Sequence, residues 1–135
     1  VEMTQVDRVL VAAPVHRERL PHRMVVFCRR HARDLARRDA VLVSVSLSAA
    51  GDVASDWVGL ERAVDDFARR TRWRPAAVHH VAGALAFSRY DPLTRWLMRR
   101  IARRRGVRLR GEADREFTDW QEVNAIADAL GAEAA

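Results

Sequence analysis

Three short stretches of the chain are almost continuously apolar and do not alternate with polar residues. They run from Arg8 to Val15, from Ala40 to Leu47 and from Ala76 to Leu85. Strands that are buried on both faces of a parallel sheet have this pattern, whereas half-exposed strands alternate. The pattern therefore predicts three buried strands.

Helical periodicity occupies both gaps between these strands. In the first gap the inward positions are Met24, Phe27, Cys28, His31, Ala32 and Leu35. In the second gap they are Trp57, Leu60, Val64, Phe67 and Ala68. The segment from Thr71 to Pro75 ends this second helix, because a residue before proline disfavours the α region. Strands that alternate with amphipathic helices form right-handed βαβ units, so the predicted fold class is α/β with a parallel sheet.

Two further helices are predicted after the third strand, from Pro92 to Arg105 and from Asp119 to Leu130, with a charged, glycine-containing link between them. Asp91 precedes Pro92 as an N-cap, and proline suits the first helical position because no N–H is needed there. For the last helix, Thr118 and Gln121 have the spacing of a capping box.

Length and composition agree with one soluble globular domain over residues 1–135. Of the 135 residues, 49% are hydrophobic and 31% are charged, which is enough apolar surface to fold. All 24 basic residues are Arg and the net charge is +6, which favours anionic partners but does not identify one. Cys28 has no partner for a disulfide, and no signal peptide or membrane-spanning run is visible, so a cytoplasmic location is expected.

Ligands of open parallel sheets bind beyond the carboxyl ends of the strands, which directs attention to three loops. The first, Pro14–Arg19, gathers His16, Arg17 and Arg19 in one turn that suits a planar or anionic ligand, or is a solvated basic loop. The second, Ser46–Asp52, consists of small residues that let the backbone approach a flat ring closely. The third is Gly83–Arg89.

Hydrolytic and metal-dependent chemistry are not favoured by the histidines and serines. Ser44, Ser46 and Ser48 lack the G-x-S-x-G context of a nucleophilic serine. His79 and His80 are adjacent on a strand, so their side chains point to opposite faces and cannot bind one metal ion together. Packing against the core or a helix is the expected role of both.

The helix over residues 91–105 is basic and amphipathic. The apolar side comprises Leu93, Trp96, Leu97 and Ile101, and the basic side Arg95, Arg99 and Arg103. Such a helix lies at an anionic membrane surface or packs on its own domain with a solvated basic face. Phe87, Arg89 and Tyr90 just upstream are candidates for a hydrophobic entrance. Nucleic-acid binding is not expected, because the arginines are dispersed and no nucleic-acid-binding motif is present.

Three segments resemble successive parts of the menaquinone-dependent protoporphyrinogen IX dehydrogenases, which are flavodoxin-domain proteins. They are residues 6–31, 79–106 and 115–130. The most specific parts are Ala82–Tyr90, the helix that follows, and Phe117–Trp120. The resemblance implies a flavodoxin-like three-layer α/β/α fold, of which this chain holds three strands and begins at the family's third strand.

The same resemblance implies an FMN-dependent oxidoreductase that oxidises protoporphyrinogen IX with a quinone as electron acceptor, for heme biosynthesis. The two loops implied to flank the flavin ring contain Pro14, Val15, His16, Arg17 and Glu18, and Ser46, Leu47, Ser48, Ala49 and Ala50. Substrate or membrane approach is implied for Phe87, Arg89, Tyr90, Arg95, Trp96, Arg99 and Arg103.

The family's phosphate-binding loop is not in the sequence, so weak FMN binding is expected, and a flavin-free module that binds a partner or an anionic membrane is the alternative. The strand Arg8–Val15 should then lie at a sheet edge and invite self-association. Peripheral attachment to the inner face of the cell membrane fits the basic helix.

Overall fold

A computed structural model of the chain describes residues 6–51, 53–85, 91–104 and 115–132. Its main sheet has three parallel strands in the order β1 (Leu10–Pro14), β2 (Val41–Ser46) and β3 (Val78–Ala82). β1 pairs with β2 from Leu10 opposite Val41, and β2 pairs with β3 from Leu42 opposite Val78. The parallel direction of the three predicted strands and, among the described residues, the edge position of β1 are confirmed. The predicted burial on both faces is wrong for β1, in which Leu10, Ala12 and Pro14 are exposed and alternate with buried residues.

Three helices cover one face of the sheet: α1 (His22–Arg30), α2 (Ala32–Arg37) and α3 (Ala54–Thr71). The first gap thus holds two helices and not one, because the chain bends at His31, where φ is −105° and ψ is 16°. α3 ends as predicted before Pro75, with Arg72 in the left-handed conformation. The buried core on this face comprises Val11, Ala13, Cys28, Leu35, Leu42, Leu60, Phe67 and Trp73.

The opposite face of the sheet packs against α5 (Trp120–Ala132). Ile126 of this helix joins Val43 and Val81 in a second buried cluster, with Val123 and Leu130 beside it. Since β2 thereby carries buried residues on both faces, its continuous apolar run is explained. The architecture is the expected three-layer α/β/α arrangement.

The third predicted strand is shorter than its apolar run. After Ala82 the chain leaves the parallel sheet at Gly83, and β4 (Ala84–Leu85) instead pairs antiparallel with β5 (Arg115–Glu116). A Cβ atom at Gly83 would lie 3.2 Å from Cγ1 of Val45, so the turn passes close to β2. The prediction of one continuous strand over Ala76–Leu85 is therefore wrong. β5 lies at the end of the segment that we interpreted as a link.

The capping-box prediction for the last helix is also wrong. The N-cap is Asp119, whose carboxylate accepts hydrogen bonds from the N–H groups of Gln121 at 2.9 Å and Glu122 at 3.2 Å. Thr118 donates its hydroxyl instead to the carbonyl of Ala82, at 2.9 Å. At α4 (Pro92–Arg104), by contrast, Asp91 caps the helix as predicted and accepts a bond of 3.2 Å from the N–H of Thr94.

The outer edge of β1 is open within the part of the chain that the structure describes. Hydrogen bonds from Val41 to the carbonyl of Val9 and from Val15 to the carbonyl of Val45 show that odd-numbered residues of β1 bond to β2. Because alternate residues of a parallel strand bond to opposite neighbours, the backbone groups of Leu10, Ala12 and Pro14 face outward. A groove of about 450 Å³ runs along this edge and is lined by Val6, Arg8, Val9, Leu10, Val11, Ala12, Met24 and Phe27.

Candidate flavin site at the carboxyl edge of the sheet

The loop after β1 folds back as a tight hairpin turn. The N–H and carbonyl groups of His16 and Arg19 bond to each other in both directions, each at 3.0 Å. Between them, Arg17 and Glu18 have φ angles of 50° and 56°, in the left-handed region. This is the backbone of a type I′ turn, which usually carries Asn and Gly, so two side chains here occupy a disfavoured conformation. Strain of this kind persists only where surrounding structure enforces it.

Glu18 is exposed overall, but its carboxyl group contacts α3. Its carboxylate oxygen lies 3.0 Å from the position that a Cβ atom on Gly59 would occupy. Gly59 is itself buried, whereas His16, Arg17 and Arg19 are exposed. The turn therefore rests on α3 through Glu18 and presents its basic side chains to solvent.

The loop after β2 forms one turn of 3-10 helix at Ser48–Ala50. The hydroxyl of Ser46 accepts a bond of 3.2 Å from the N–H of Ala49, and the N–H of Ala50 donates to the carbonyl of Leu47 at 3.0 Å. Ser46 is 7% exposed, while Leu47 to Ala50 are half-buried. Small side chains thus leave backbone accessible above the end of β2.

Both loops lie at the same edge, because the strands that precede them are parallel neighbours. Val15 donates to the carbonyl of Val45 at 2.8 Å, which places the start of the first loop beside the end of β2. On the other side, Gly83 donates to the carbonyl of Ser46 at 3.0 Å. All ten residues predicted to flank a flavin ring are therefore brought to one end of the sheet.

This edge fits a flat ring better than it fits a phosphate group. Half-buried small residues allow close approach of a ring to backbone. A phosphate, in contrast, is normally held by free N–H groups at a helix N-terminus that follows a small-residue loop. α1 follows the first loop, but this loop is not made of small residues: it contains Arg17, Glu18 and Arg19 and ends in Leu20 and Pro21. Among the described loops, the loop after β2 therefore offers small residues to a flat ligand, whereas the loop after β1 lacks the features of a phosphate-binding loop.

A comparison with models of protein families identifies the family to which this α/β sheet belongs. The family model for the flavodoxin domain matches residues 1–108 of the 135-residue chain. The chain belongs to the flavodoxin domain family. Flavodoxin domains bind FMN at the carboxyl edge of the sheet, where the strand order reverses. No curated protein and no solved structure matches this chain significantly.

In this flavodoxin domain a cluster of Ser44, His80 and Trp57 lies under the start of α3. Nδ1 of His80 is 2.5 Å from the hydroxyl of Ser44, its register partner on β2. The rings of His80 and Trp57 meet edge to face, with centroids 5.8 Å apart. The predicted helix-facing packing of His80 is confirmed. Ser44 is 0% exposed, which leaves no access for a substrate to its hydroxyl.

Burial lowers the pKa of His80, and the neighbouring Glu61 carboxylate only partly offsets this effect. The neutral imidazole is therefore favoured in the folded domain. Because the unfolded chain binds the proton more readily, this histidine contributes stability that is present above its ordinary pKa and is lost as the pH falls through the lowered value. Sequence reasoning did not place Trp57 near this histidine, because only tertiary packing brings them together.

The basic helix α4 is oriented differently from the sequence prediction. Leu93, Trp96 and Leu97 are 73%, 57% and 45% exposed. Arg95 and Arg99 were expected to point outward, but they are half-buried and interact with other groups of the protein. The fully buried residue of α4 is Ala102. Of the two alternatives that the sequence left open, packing of the apolar side on the domain does not hold for Leu93, Trp96 and Leu97.

The exposed side of α4 combines apolar and basic groups. Arg100, Arg103 and Arg104 are exposed beside the three apolar residues, and the guanidinium of Arg100 lies 5.7 Å from the centroid of the Trp96 ring. We call these six residues the α4 surface. Phe87, Arg89 and Tyr90, the other predicted approach residues, lie outside the described residues. None of the helices that the structure describes is long and apolar enough to cross a membrane.

Proposed function

We propose that this flavodoxin domain holds the ring of FMN between the turn His16–Arg19 and the loop Ser46–Ala50, as part of an oxidoreductase. The observation that carries the proposal is the adjacency of these two loops at the carboxyl edge of a parallel sheet. When bound, FMN supplies hydride or electron transfer that no side chain provides.

The residues of the chain bind and orient the ring. The small residues Ser48, Ala49 and Ala50 let backbone lie along its flat face, and the strained turn at Arg17 and Glu18 borders it from the neighbouring strand. Exposed Arg17 and Arg19 favour negative charge at the site through Coulomb attraction.

We propose protoporphyrinogen IX as the substrate and a quinone as the electron acceptor. The support is the resemblance of Ala82–Tyr90 and Phe117–Trp120 to the dehydrogenases of that type. The α4 surface adds apolar side chains beside arginines, which suits an apolar macrocycle that carries carboxylates. Porphyrin fluorescence that fails to rise when flavin-loaded protein is given protoporphyrinogen IX and a quinone would refute this substrate.

The proposal that these loops hold the flavin ring predicts the relative affinities of the chain for riboflavin and FMN. If the described loops hold the ring alone, riboflavin and FMN should bind the 135-residue chain with dissociation constants that agree within about threefold. A phosphate anchor would instead favour FMN by about tenfold or more, since each hydrogen bond to a charged group contributes ~1.5–3 kcal/mol. Titration of flavin fluorescence measures both constants.

A matched pair of variants locates the ring. Ala50→Leu adds bulk to the half-buried loop, and Ala36→Leu adds the same bulk on the exposed surface of α2. We expect riboflavin binding to fall in the first variant and to persist in the second. Equal binding by both variants would place the ring elsewhere.

A second candidate function is attachment to an anionic membrane surface. The observation that favours it is the exposed side of α4, where Leu93, Trp96 and Leu97 alternate with arginines. Tryptophan and leucine enter the boundary between headgroups and acyl chains, and arginine meets anionic headgroups. Membrane attachment is compatible with the proposed flavin chemistry, because a quinone that accepts electrons would be dissolved in the bilayer.

We also propose that the open edge of β1 mediates self-association of the chain. Two copies related by a two-fold axis would pair their β1 strands antiparallel around Ala12, the middle residue of the strand. Pro14 has no N–H, so Leu10 and Ala12 are the outward donors of each β1 strand.

Ala12→Pro should therefore weaken the dimer by roughly 5- to 150-fold, because two symmetric hydrogen bonds of ~0.5–1.5 kcal/mol each are lost. The N–H of Ala12 does not bond to β2, and proline is tolerated at a sheet edge, so the fold should survive. Ala12→Val keeps the N–H and serves as the control. Sedimentation velocity over a range of concentrations compares them, and equal dimerisation would exclude pairing at this edge.

A further inference from the structure

Two of the hydrogen bonds in the loop Ser48–Gly51 are long, although the bond from Ala50 to the carbonyl of Leu47 is 3.0 Å. The bonds from Ala49 to the Ser46 hydroxyl and from Gly51 to the Ser48 carbonyl are 3.2 Å and 3.5 Å long. The helix α3 begins soon afterwards at Ala54, and its N-cap residue, Val53, provides no side-chain hydrogen bond. The Ser46 hydroxyl therefore holds the start of the loop, whereas no capping side chain at Val53 holds the end.

A side chain from the first turns of α3 supplies the missing support. The indole N–H of Trp57 donates a hydrogen bond of 3.0 Å to the carbonyl of Gly51, six residues earlier. This bond connects the last residue of the loop to a rigid helix. Trp57 is 37% exposed, so its ring is also accessible to solvent at the border of the loop.

The sheet supports Trp57 from below. The His80 ring meets the indole edge to face, which is a favoured geometry for aromatic pairs. His80 is fixed in turn by the buried hydroxyl of Ser44 on the neighbouring strand. A continuous chain of contacts thus runs from β2 through β3 and Trp57 to the carbonyl of Gly51.

We propose that Trp57 is a positioning residue that holds the loop Ser48–Gly51 in the shape that receives the flavin ring, with His80 and Ser44 as its support. The role in flavin binding rests on the function proposed above. The role in holding the loop rests on the contacts alone. Trp57 acts through the loop backbone, so its loss changes the affinity for the ring and not the chemistry that the ring supplies.

Trp57→Phe tests this proposal, because it keeps an aromatic ring against His80 and removes the N–H donor. Trp120→Phe is the matched control: the indole of Trp120 also donates a hydrogen bond of 3.0 Å, to Glu116, at the start of α5. Amide hydrogen exchange is measured for the peptide that covers Leu47 to Val53 and for the peptide that covers β2. Riboflavin affinity is measured on the same samples.

We expect exchange of the loop peptide to accelerate by about three- to tenfold in Trp57→Phe, and riboflavin to bind more weakly by a similar factor, as expected for loss of one hydrogen bond. Exchange of β2 should not change in either variant. Unchanged loop exchange in Trp57→Phe, or equal acceleration in Trp120→Phe, would overturn the proposal. Faster loop exchange with unchanged riboflavin affinity would overturn its flavin-binding part. If the native chain binds no flavin at all, the proposed function fails, while the exchange result still decides whether Trp57 holds the loop.

Discussion

Phe67→Ala is expected to lower the free energy of unfolding by about 3–5 kcal/mol, which is a large share of the stability of a typical domain. The side chain of Phe67 is 1% exposed, and its ring meets that of Trp73 with centroids 6.2 Å apart. Trp73 is also 1% exposed and belongs to the same core as Leu42 and Leu60. Truncation would leave a cavity at the centre of the larger core, where surrounding atoms cannot collapse freely.

The comparison variant is Phe27→Ala on α1, which makes the same chemical change at a half-buried position that lines the groove beside β1. Because solvent already reaches this side chain, we expect a loss of only about 1–2 kcal/mol. Urea denaturation followed by far-ultraviolet circular dichroism measures both values. If the two variants lose equal stability, the principal core is not centred on Phe67.

Replacing Arg100, Arg103 and Arg104 by Gln is expected to weaken association with anionic vesicles by about a hundredfold. Each arginine near such a surface contributes about 1 kcal/mol, so three contribute ~3 kcal/mol at moderate ionic strength. These three residues are exposed on the α4 surface. Arg95 and Arg99 are half-buried and interact with other groups, so replacing them would remove packing contacts as well as charge. Co-sedimentation with anionic vesicles measures the effect.

A second triple variant separates the α4 surface from net charge. Arg29, Arg30 and Arg33 are exposed on α1 and α2, and their replacement by Gln removes the same charge far along the chain from α4. We expect this variant to sediment nearly as the native chain does. If both triple variants lose binding equally, the attraction belongs to the overall charge of +6 and not to α4. Binding of the native chain should also weaken as salt is added, because screening acts over about 10 Å at 0.1 M.

The sequence predicted the architecture because the central strand β2 is buried on both faces. Strands such as β2 are then continuously apolar, and no other local structure explains a run like Ala40–Leu47 between two amphipathic helices. The location of the candidate site followed from that architecture alone, since parallel strands end at one edge. The strain at Arg17 and Glu18 did not follow, because neither residue type signals a left-handed turn.

Where prediction failed, tertiary contacts chose between locally equivalent options. Thr118 and Asp119 are both good N-caps, and the carbonyl of Ala82 recruits the threonine and leaves the aspartate to cap α5. On α4, arginine has a long apolar stem and can pack inward, so the pattern of Leu93 and Arg95 does not reveal which side is covered. Neither choice is encoded in the segment itself.

The buried thiol of Cys28 can report how often the core of the domain opens. Its side chain is 0% exposed in the core between α1 and the sheet, and burial raises the pKa of the thiol to about 11. Only the thiolate is a strong nucleophile, so a labelling reagent cannot react until the core opens and the pKa returns toward its ordinary value. The rate of labelling therefore reports the frequency of opening, in each variant and in the presence or absence of flavin, without any added probe.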